Sequence, residues 1–285
     1  MPVAPLQFQS PTGQLLSQIM QTHPHLLPAA IDQQLDQLQS DRDTQKLEKP
    51  PPSQDPLLYR RIAEVREKDR QKSLEEIVYC FIVQKFLEND ILMIPKISPS
   101  AYPTGQVDFW PNQGQKLESI HSPDAMDMIQ SHLTLILGER VIGPLNTIVQ
   151  ISKLKLGKLY AASIMYGYFL KRVDERYQLE RSMNTLPKSY KLRSYVMYLD
   201  AETLHRYATI RSNEAVALIE KQTQALFGRP DIKIADDGTL DASNDEVVGI
   251  SFSGLTMLVL EAVAFGSFLW EAESYVESKY HFLTN

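Results

Sequence analysis

Apolar residues recur at spacings of three and four along most of the chain, which predicts a mainly α-helical fold. The longest such segment covers residues 153–183, and its predicted buried stripe consists of Leu159, Ala162, Tyr166, Phe169, Val173 and Tyr177. A second long helix, from about Ser251 to Tyr280, is apolar on nearly all sides in its first half. We therefore predict a multi-helix globular bundle with a buried C-terminal helix.

Capping signals bound further helices. A capping residue followed by proline, as in Asp55-Pro56 and Ser122-Pro123, is typical of a helix start. Gly138 is a typical end for the second of these helices. By the same rules we predict a short helix after Asp200 and a helix between Ser212 and Gly228, while residues 145–151 suit one or two more helical turns.

Two short segments favour β structure. Residues 91–97, ILMIPKI, are β-branched and interrupted by Pro95, which suits an edge strand or an extended segment. Residues 231–240 place Asp237-Gly238 between β-forming residues and predict a hairpin. Residues 98–115 read as a loop, in which Phe109-Trp110 either packs on the core or forms an exposed recognition site.

The chain divides at a polar, proline-containing stretch that ends in Pro50–Pro52 and Ser53. Residues 1–54 form a Gln-rich N-terminal arm with two short amphipathic helices and a linker. We predict a single helical domain over residues 55–285.

The net charge of −6 is unevenly distributed. Residues 150–195 carry 10 basic and 3 acidic side chains, whereas residues 231–285 carry 2 basic and 10 acidic ones. This layout predicts internal complementarity, or a protein partner that binds the basic segment 150–195. Nucleic acid is a weaker alternative, because the tyrosines of this segment fall mostly on the predicted buried stripe. Peripheral attachment to a membrane is a further alternative.

Glu261 stands in an apolar helix, where a carboxylate is costly unless it is paired. We expect a structural ion pair between Glu261 and Arg206 or Arg211, beside His205 and Tyr207. The alternative is a small-ligand or acid–base site built from the same residues.

Candidate motifs for other chemistry are few. Glu118 and His121, like Glu202 and His205, have the Glu-x-x-His spacing of carboxylate-bridged metal sites, but His121 directly precedes the Ser122 cap. No phosphate-binding glycine loop or hydrolase motif occurs. We predict no catalytic residue, no cofactor and no metal, and we interpret the single cysteine, Cys80, as a core residue.

The apolar run of residues 252–270 approaches the length of a membrane span. Glu261 lies at its centre, its flanks are acidic, and no Lys or Arg occurs between Lys233 and Lys279 to set an orientation. A buried central helix is the favoured interpretation.

Several long segments resemble the plant and cyanobacterial family of UV-B-induced chloroplast proteins, also known as domain of unknown function seven-sixty. They are residues 122–138 (SPDAMDMIQSHLTLILG), 206–231 (RYATIRSNEAVALIEKQTQALFGRPD) and 245–280 (DEVVGISFSGLTMLVLEAVAFGSFLWEAESYVESKY), and ILMIPKI also fits. The resemblance covers the chain from about residue 70 onward and implies no catalytic residues. It implies a protein of unknown function, which we interpret as a non-catalytic interaction or scaffold protein in a photosynthetic organism.

Plant members of this family are chloroplast-directed. The N-terminus MPVAPLQFQSPTGQ lacks both the pattern of a secretory signal and that of a transit peptide. We therefore expect a cytoplasmic protein of a photosynthetic bacterium, with peripheral thylakoid association as an alternative.

Overall fold

A computed structural model describes residues 4–47, 56–98, 105–138, 146–187, 189–229, 233–234, 240–241 and 245–280. Within these residues the fold is mainly α, as predicted. The helices are α1 (Pro11–Thr22), α2 (Leu27–Leu47), α3 (Pro56–Glu88), α4 (Gly114–Glu118), α5 (Pro123–Leu137), α6 (Lys153–Ser182), α7 (Leu192–Tyr198), α8 (Ala201–Ala208), α9 (Asn213–Phe227) and α10 (Phe252–Lys279), and a 3-10 turn covers Pro24–Leu26.

The predicted capping residues begin the helices where they were expected. Ser122 accepts a hydrogen bond from the Ala125 N–H and begins α5, and Gly138 ends it with a positive φ of 76°. Asp200 accepts from Thr203 and begins α8. These caps satisfy backbone N–H groups that have no partner within the helix, so local sequence alone sets these boundaries. The Asp55 cap lies outside the described residues.

The larger β element was not predicted. Strand β1 (Ile148–Ser152) pairs antiparallel with β4 (Val247–Ser251), and Gln150 lies opposite Gly249. The helical prediction for residues 145–151 is therefore wrong within the described residues from 146 onward. β-branched residues dominate both short segments, and pairing across nearly 100 residues overrides their helical spacing.

The two predicted β segments differ in outcome. Residues 91–97 form no strand, and Ile91, Met93, Ile94 and Ile97 are buried. The Ile97 N–H donates to the Leu226 carbonyl at 2.8 Å. The hairpin prediction is confirmed by β2 (Lys233–Ile234) pairing with β3 (Leu240–Asp241), while the intervening residues lie outside those described.

Two compact units make up the chain. The first comprises Phe86–Ile210 and Ile219–Trp270 with the described residues before Gln7. The second comprises Gln7–Lys85, Arg211–Leu218 and the described residues from Glu271 onward. The predicted division at residue 54 stays a prediction, because residues 48–55 lie outside those described.

Close contact between α6 and the first part of α10 fixes the core of the first unit. A Cβ atom at Gly266 would lie 1.9 Å from the Ile164 carbonyl oxygen, and one at Gly167 would lie 2.1 Å from that of Val263. This contact turns a different face of α6 inward from the predicted one. The predicted stripe is wrong at Ala162, which is exposed, and at Leu159, Tyr166 and Phe169, which are half-buried. Val173 and Tyr177 are buried, as predicted.

In the second unit, α1 and α2 bury leucine and isoleucine side chains, although Leu15 of α1 is exposed. Leu16, Leu27, Ile31 and Leu35 are at most 1% exposed. The second half of α3 is buried too, and burial raises the pKa of Cys80 to about 12. Cys80 is therefore a core residue with a protonated thiol.

Helix α10 is long and apolar enough to cross a membrane by length and composition alone. Its most apolar 18-residue window has a mean hydropathy of 1.7, and 83% of that window is buried inside the protein. The core helix of a globular protein passes the same test, and this degree of burial matches the predicted buried helix.

Candidate functional site

Among the described residues of the first unit, Glu261 is the most deeply buried carboxylate, at 1% exposure. Its Oε2 atom accepts a hydrogen bond from the Tyr160 hydroxyl at 2.7 Å. The same hydroxyl accepts from the Gln222 side-chain amide at 3.3 Å. Helices α6, α9 and α10 thus each contribute one polar side chain to a buried chain of hydrogen bonds.

Two oxygens of this group have no hydrogen-bond partner among the described residues: Glu261 Oε1 and Gln222 Oε1. Burial raises the pKa of Glu261 to about 7, although the Tyr160 hydroxyl and the backbone of Ile94 oppose that rise. A carboxyl group in this state changes its protonation near neutral pH, because the charged form is poorly solvated.

Arg211, one of the two predicted partners of Glu261, binds other acids. Its guanidinium lies 3.4 Å from the buried Glu273 carboxylate and also contacts Glu277. Glu273 Oε1 accepts hydrogen bonds from the Ser212 N–H at 2.9 Å and from the Ser212 hydroxyl. Within the second unit, Glu273 thus holds Arg211 and the capping residue of α9 together.

The other three predicted residues, His205, Arg206 and Tyr207, lie on the short helix α8. His205 and Arg206 are exposed. The Arg172 guanidinium donates to the carbonyls of Arg206 and Thr209 at 2.6 and 3.3 Å, and it lies over the Tyr207 ring. Arg172 therefore binds the C-terminal end of α8, where the helix dipole favours a cation.

The five predicted residues consequently occupy three separate environments. The prediction of an ion pair between Glu261 and Arg206 or Arg211 is wrong, because Glu261 forms no ion pair with any described residue. Its side-chain partner is the neutral hydroxyl of Tyr160, far away in sequence, and that hydroxyl accepts in turn from Gln222. Whether any of the five binds a ligand stays a prediction.

The Glu-x-x-His pairs do not come together as a metal site in the part of the chain that is described, where no group of three suitable side chains occurs. Glu202 and His205 are exposed on α8. His121 is largely buried, and burial together with the nearby Lys171 charge lowers its pKa to about 4. It is therefore neutral at physiological pH.

Most cations of the basic segment are bound within the molecule. Lys153 contacts Glu246 at 2.6 Å, Arg181 contacts Asp124 at 3.1 Å, and Lys191 contacts Asp127 at 3.3 Å. Lys171 and Arg176 pair with acids one turn later on α6. Among the described residues, Lys155, Lys158 and Arg193 have no ion pair.

The end of α7 exposes two large apolar side chains that sequence reasoning missed. Met197 is 76% exposed and Tyr198 is 80% exposed. Their backbone is nevertheless well held, because Leu192 is fully buried and the Tyr195 hydroxyl donates to Glu180 at 3.1 Å. The spacing that buries Leu192 and Tyr195 leaves the last two residues of the helix outside.

A polar cavity of about 390 Å³ lies at the start of α10. Buried Ser251, Gly254 and Met257 form its floor, and exposed Asn112 and Asn146 lie at its rim. Its remaining lining residues are Gln106, Asp108, Trp110 and Ser253. The sequence predicts a loop at Phe109-Trp110 that either packs on the core or is exposed. The structure exposes Phe109 and turns Trp110 toward this cavity.

Comparison with known proteins decides the family. The UV-B-induced protein, chloroplastic, of Arabidopsis thaliana is 51% identical over 332 aligned positions, which cover 100% of this chain and 79% of that protein. The family model described as "Protein of unknown function (DUF760)" matches residues 57–183. The chain belongs to the DUF760 family. No solved structure matches it.

The residues matched by the DUF760 model include only some of the side chains of the two buried polar sites described above. It includes Asp108, Trp110 and Tyr160, and it ends before Gln222 and Glu261. The Arabidopsis relative aligns over the whole chain, so the similarity extends to α9 and α10. The family description assigns no activity, and a fold alone does not determine one.

Proposed function

We propose that this DUF760 protein is a non-catalytic interaction protein, whose protein partner binds the α7 tip, defined as Arg193, Met197 and Tyr198. The observation that carries the proposal is the exposure of Met197 and Tyr198, at 76% and 80%, on a helix that is otherwise anchored. Adjacent exposed apolar side chains that form a patch are more typical of a binding surface than single ones.

The α7 tip is ordered before any partner arrives. Tyr198 stacks on Tyr190, with ring centroids 6.2 Å apart, and the Tyr190 carbonyl accepts a hydrogen bond from the Tyr177 hydroxyl at 2.5 Å. On the C-terminal side, Asp200 begins α8 two residues after Tyr198. A surface that is already ordered loses less conformational entropy on binding, so a small patch can bind usefully.

Composition and charge indicate the chemistry of the partner. Tyr, Met and Arg are all enriched in protein interfaces. Arg193 lies one helical turn before Met197 and therefore on the same face of α7. It has no ion pair among the described residues. An acidic protein surface with an apolar recess complements this arrangement, in keeping with the prediction of a partner for the basic segment 150–195.

Two observations support a role without catalysis. Glu261, whose pKa is raised to about 7, is 1% exposed and therefore closed off from substrate. His205 and Arg206, which the enzyme alternative requires beside it, are exposed on α8 instead.

The Arabidopsis relative is named as chloroplastic and UV-B-induced. This supports a place in the chloroplast, or more broadly in a photosynthetic cell, over the cytoplasmic location expected from the N-terminus. Immunodetection in stromal, thylakoid and cytosolic fractions tests the location directly. Enrichment in the cytosol would contradict it.

The binding experiment uses the purified full-length chain immobilised as bait for stromal and thylakoid extracts. Three baits are compared: the native chain, the double variant Met197→Ser/Tyr198→Ser, and the control Leu47→Ser. Leu47 is matched to the tip in exposure, at 83%. Any protein recovered is then purified and titrated against each bait at low and high salt.

The proposal predicts an acidic partner that binds the native chain and Leu47→Ser equally and loses about tenfold or more in affinity for the double variant. Arg193→Glu should weaken binding and remove most of its dependence on salt. Equal binding of all three baits would overturn the proposal. So would recovery of lipid vesicles instead of a protein, since that outcome indicates membrane attachment.

A further inference from the structure

The polar cavity at the start of α10 contains buried polar atoms that no described contact satisfies. Two polar atoms at this site are buried and have no hydrogen-bond partner among the described residues: Asp108 Oδ1 and Trp110 Nε1. Both residues line the cavity. Buried polar atoms are nearly always paired, so a buried acceptor and a buried donor in one cavity indicate a group that is bound there.

Several contacts hold the Asp108 side chain in place at this cavity. The second carboxylate oxygen, Asp108 Oδ2, accepts from the Ser251 N–H at 3.2 Å and from the Ser251 hydroxyl. Ser251 in turn accepts from the Gly254 N–H at 3.0 Å and begins α10. A Cβ atom at Gly254 would lie 2.2 Å from Asp108 Oδ2, so only glycine admits the carboxylate here.

The loop that carries Asp108 is fixed to the sheet as well. The Val107 N–H donates to the Gly249 carbonyl at 3.0 Å, and the Gly249 N–H donates to the Gly105 carbonyl at 3.0 Å. These bonds hold one side of the Asp108 carboxylate against α10, while its Oδ1 atom is left for another partner.

The unpaired atoms restrict the chemistry of that partner. A carboxylate accepts hydrogen bonds and an indole nitrogen only donates them. A bound anion would face the Asp108 charge, and a bare metal cation would face the Trp110 N–H dipole. A group that both donates and accepts suits the two atoms together. Water does so, and the hydroxyl groups of a ligand reproduce the same hydrogen bonds when they displace it.

The rest of the lining distinguishes a polyol from a simple amide. Gln106, Asn112, Asn146 and Ser253 place further polar groups around the cavity, and Met257 with Trp110 supplies an apolar surface. Among the described residues of the lining, Asp108 is the only ionisable one. A sugar ring carries hydroxyl groups around its edge and an apolar face, whereas a small carboxamide is polar at one end only.

We propose that this cavity is a binding site for a small neutral sugar or polyol, whose hydroxyl groups donate to Asp108 Oδ1 and accept from Trp110 Nε1. Its volume of about 390 Å³ lies within the range of roughly 300–1,000 Å³ that small-molecule sites occupy. The site shares no residue with the α7 tip. A test of sugar binding here is therefore independent of the test of partner binding at the α7 tip.

The two tryptophans of the chain provide the measurement and its internal control. The Trp110 indole N–H is unpaired, whereas the Trp270 indole N–H donates to Glu175 at 2.7 Å. Nitrogen–proton spectra of the full-length chain are recorded during titration with glucose up to tens of millimolar, and Trp110→Phe assigns the two indole signals. Acetamide and inorganic phosphate are titrated in parallel.

The proposal predicts a saturable shift of the Trp110 signal with glucose and none of the Trp270 signal. Asp108→Asn should weaken glucose binding about tenfold or more, because the charged acceptor is lost. Ser253→Phe should fill the cavity and abolish the shift, even if Asp108→Asn fails to fold. The control Phe109→Ala, at an exposed neighbour outside the lining, should bind as the native chain does.

Three results would overturn the proposal. The first is an unchanged Trp110 signal throughout the glucose titration. The second is a glucose shift that persists in folded Ser253→Phe protein. The third is saturable binding of acetamide or phosphate without binding of glucose, which would assign the cavity to a different ligand class.

Discussion

Gly167 lies so close to Val263 that a Cβ atom at this position would come within 2.1 Å of the Val263 carbonyl oxygen. We expect Gly167→Ala to lower the free energy of unfolding by about 2 kcal/mol or more, since the backbone cannot give way as a flexible side chain would. Urea unfolding followed by circular dichroism measures the change.

Gly157→Ala is the matched control on the same helix. Its added Cβ would meet the Thr223 methyl carbon at 3.4 Å and the Phe227 ring at 3.6 Å, which are ordinary contacts. This variant should be neutral or more stable by up to about 1 kcal/mol, because alanine favours a helix. Equal destabilisation by the two substitutions would show that the α6 contact with Val263 is not what selects glycine.

The buried Glu261 carboxyl predicts a dependence of stability on pH. Its pKa in the folded protein, about 7, exceeds its ordinary value of 4.5. The folded state therefore binds the proton more tightly. The resulting stability is fully present below the unfolded pKa and is lost as the pH rises through 7. The loss is on the order of 3 kcal/mol.

Glu261→Gln removes this titration, so it should gain stability relative to the native chain between pH 5 and pH 8 by that amount. Urea titrations at both pH values provide the comparison, and effects of other groups cancel because both proteins share them. Glu202→Gln, at an exposed position on α8, serves as the control and should follow the native curve. Parallel curves for native protein and Glu261→Gln would exclude a titrating carboxyl at this site.

The Arg172 Nη1 atom donates to three carbonyl groups near the end of α8. The Arg172 guanidinium also lies over the Tyr207 and Trp270 rings, and the compact ammonium group of a lysine does not reproduce this planar contact. Arg172→Lys should lower stability by about 1–2 kcal/mol and speed hydrogen exchange at the amides of Leu204 and Thr209. Arg176→Lys, which alters an exposed pair with Glu180, should change stability by less than about 0.5 kcal/mol. Unaltered exchange in α8 would contradict the assigned role of Arg172.

Glu273 provides the corresponding test in the second unit. Glu273→Ala leaves Arg211 and the Ser212 N–H without their buried acceptor and should cost about 3–5 kcal/mol. Glu277→Ala removes a more exposed partner of the same arginine and should cost less than about 1 kcal/mol. Thermal unfolding of both variants separates the two contributions. Similar losses of stability would contradict the role of Glu273 as the main acceptor for Arg211 and Ser212.

Local chemistry made the helices predictable. Ser122, Asp200 and Gly138 act on backbone groups within four residues of themselves, so their effect is visible in the sequence. The β1–β4 pairing was missed because Gln150 and Gly249 meet across nearly 100 residues. No pattern within either short segment specifies its partner.

At the candidate sites too, effects of neighbouring residues were predictable, whereas contacts between distant residues were not. The cost of burying Glu261 was evident from its apolar neighbours, and its burial is confirmed. Its partner was sought among charged residues, yet Tyr160, which is 101 positions away, satisfies it with a neutral hydroxyl. The cavity at the start of α10 depends on contacts between a loop, a strand and a helix start, and no sequence motif predicts it.

Cys80 has a practical consequence for studying this protein. It is the chain's single thiol, it is fully buried in α3, and its pKa of about 12 keeps it protonated. A maleimide reagent can reach it only when that part of α3 opens, so the labelling rate measures how often opening occurs. The native sequence thus contains its own reporter of local unfolding, and every variant proposed above can be compared by this rate without adding a probe.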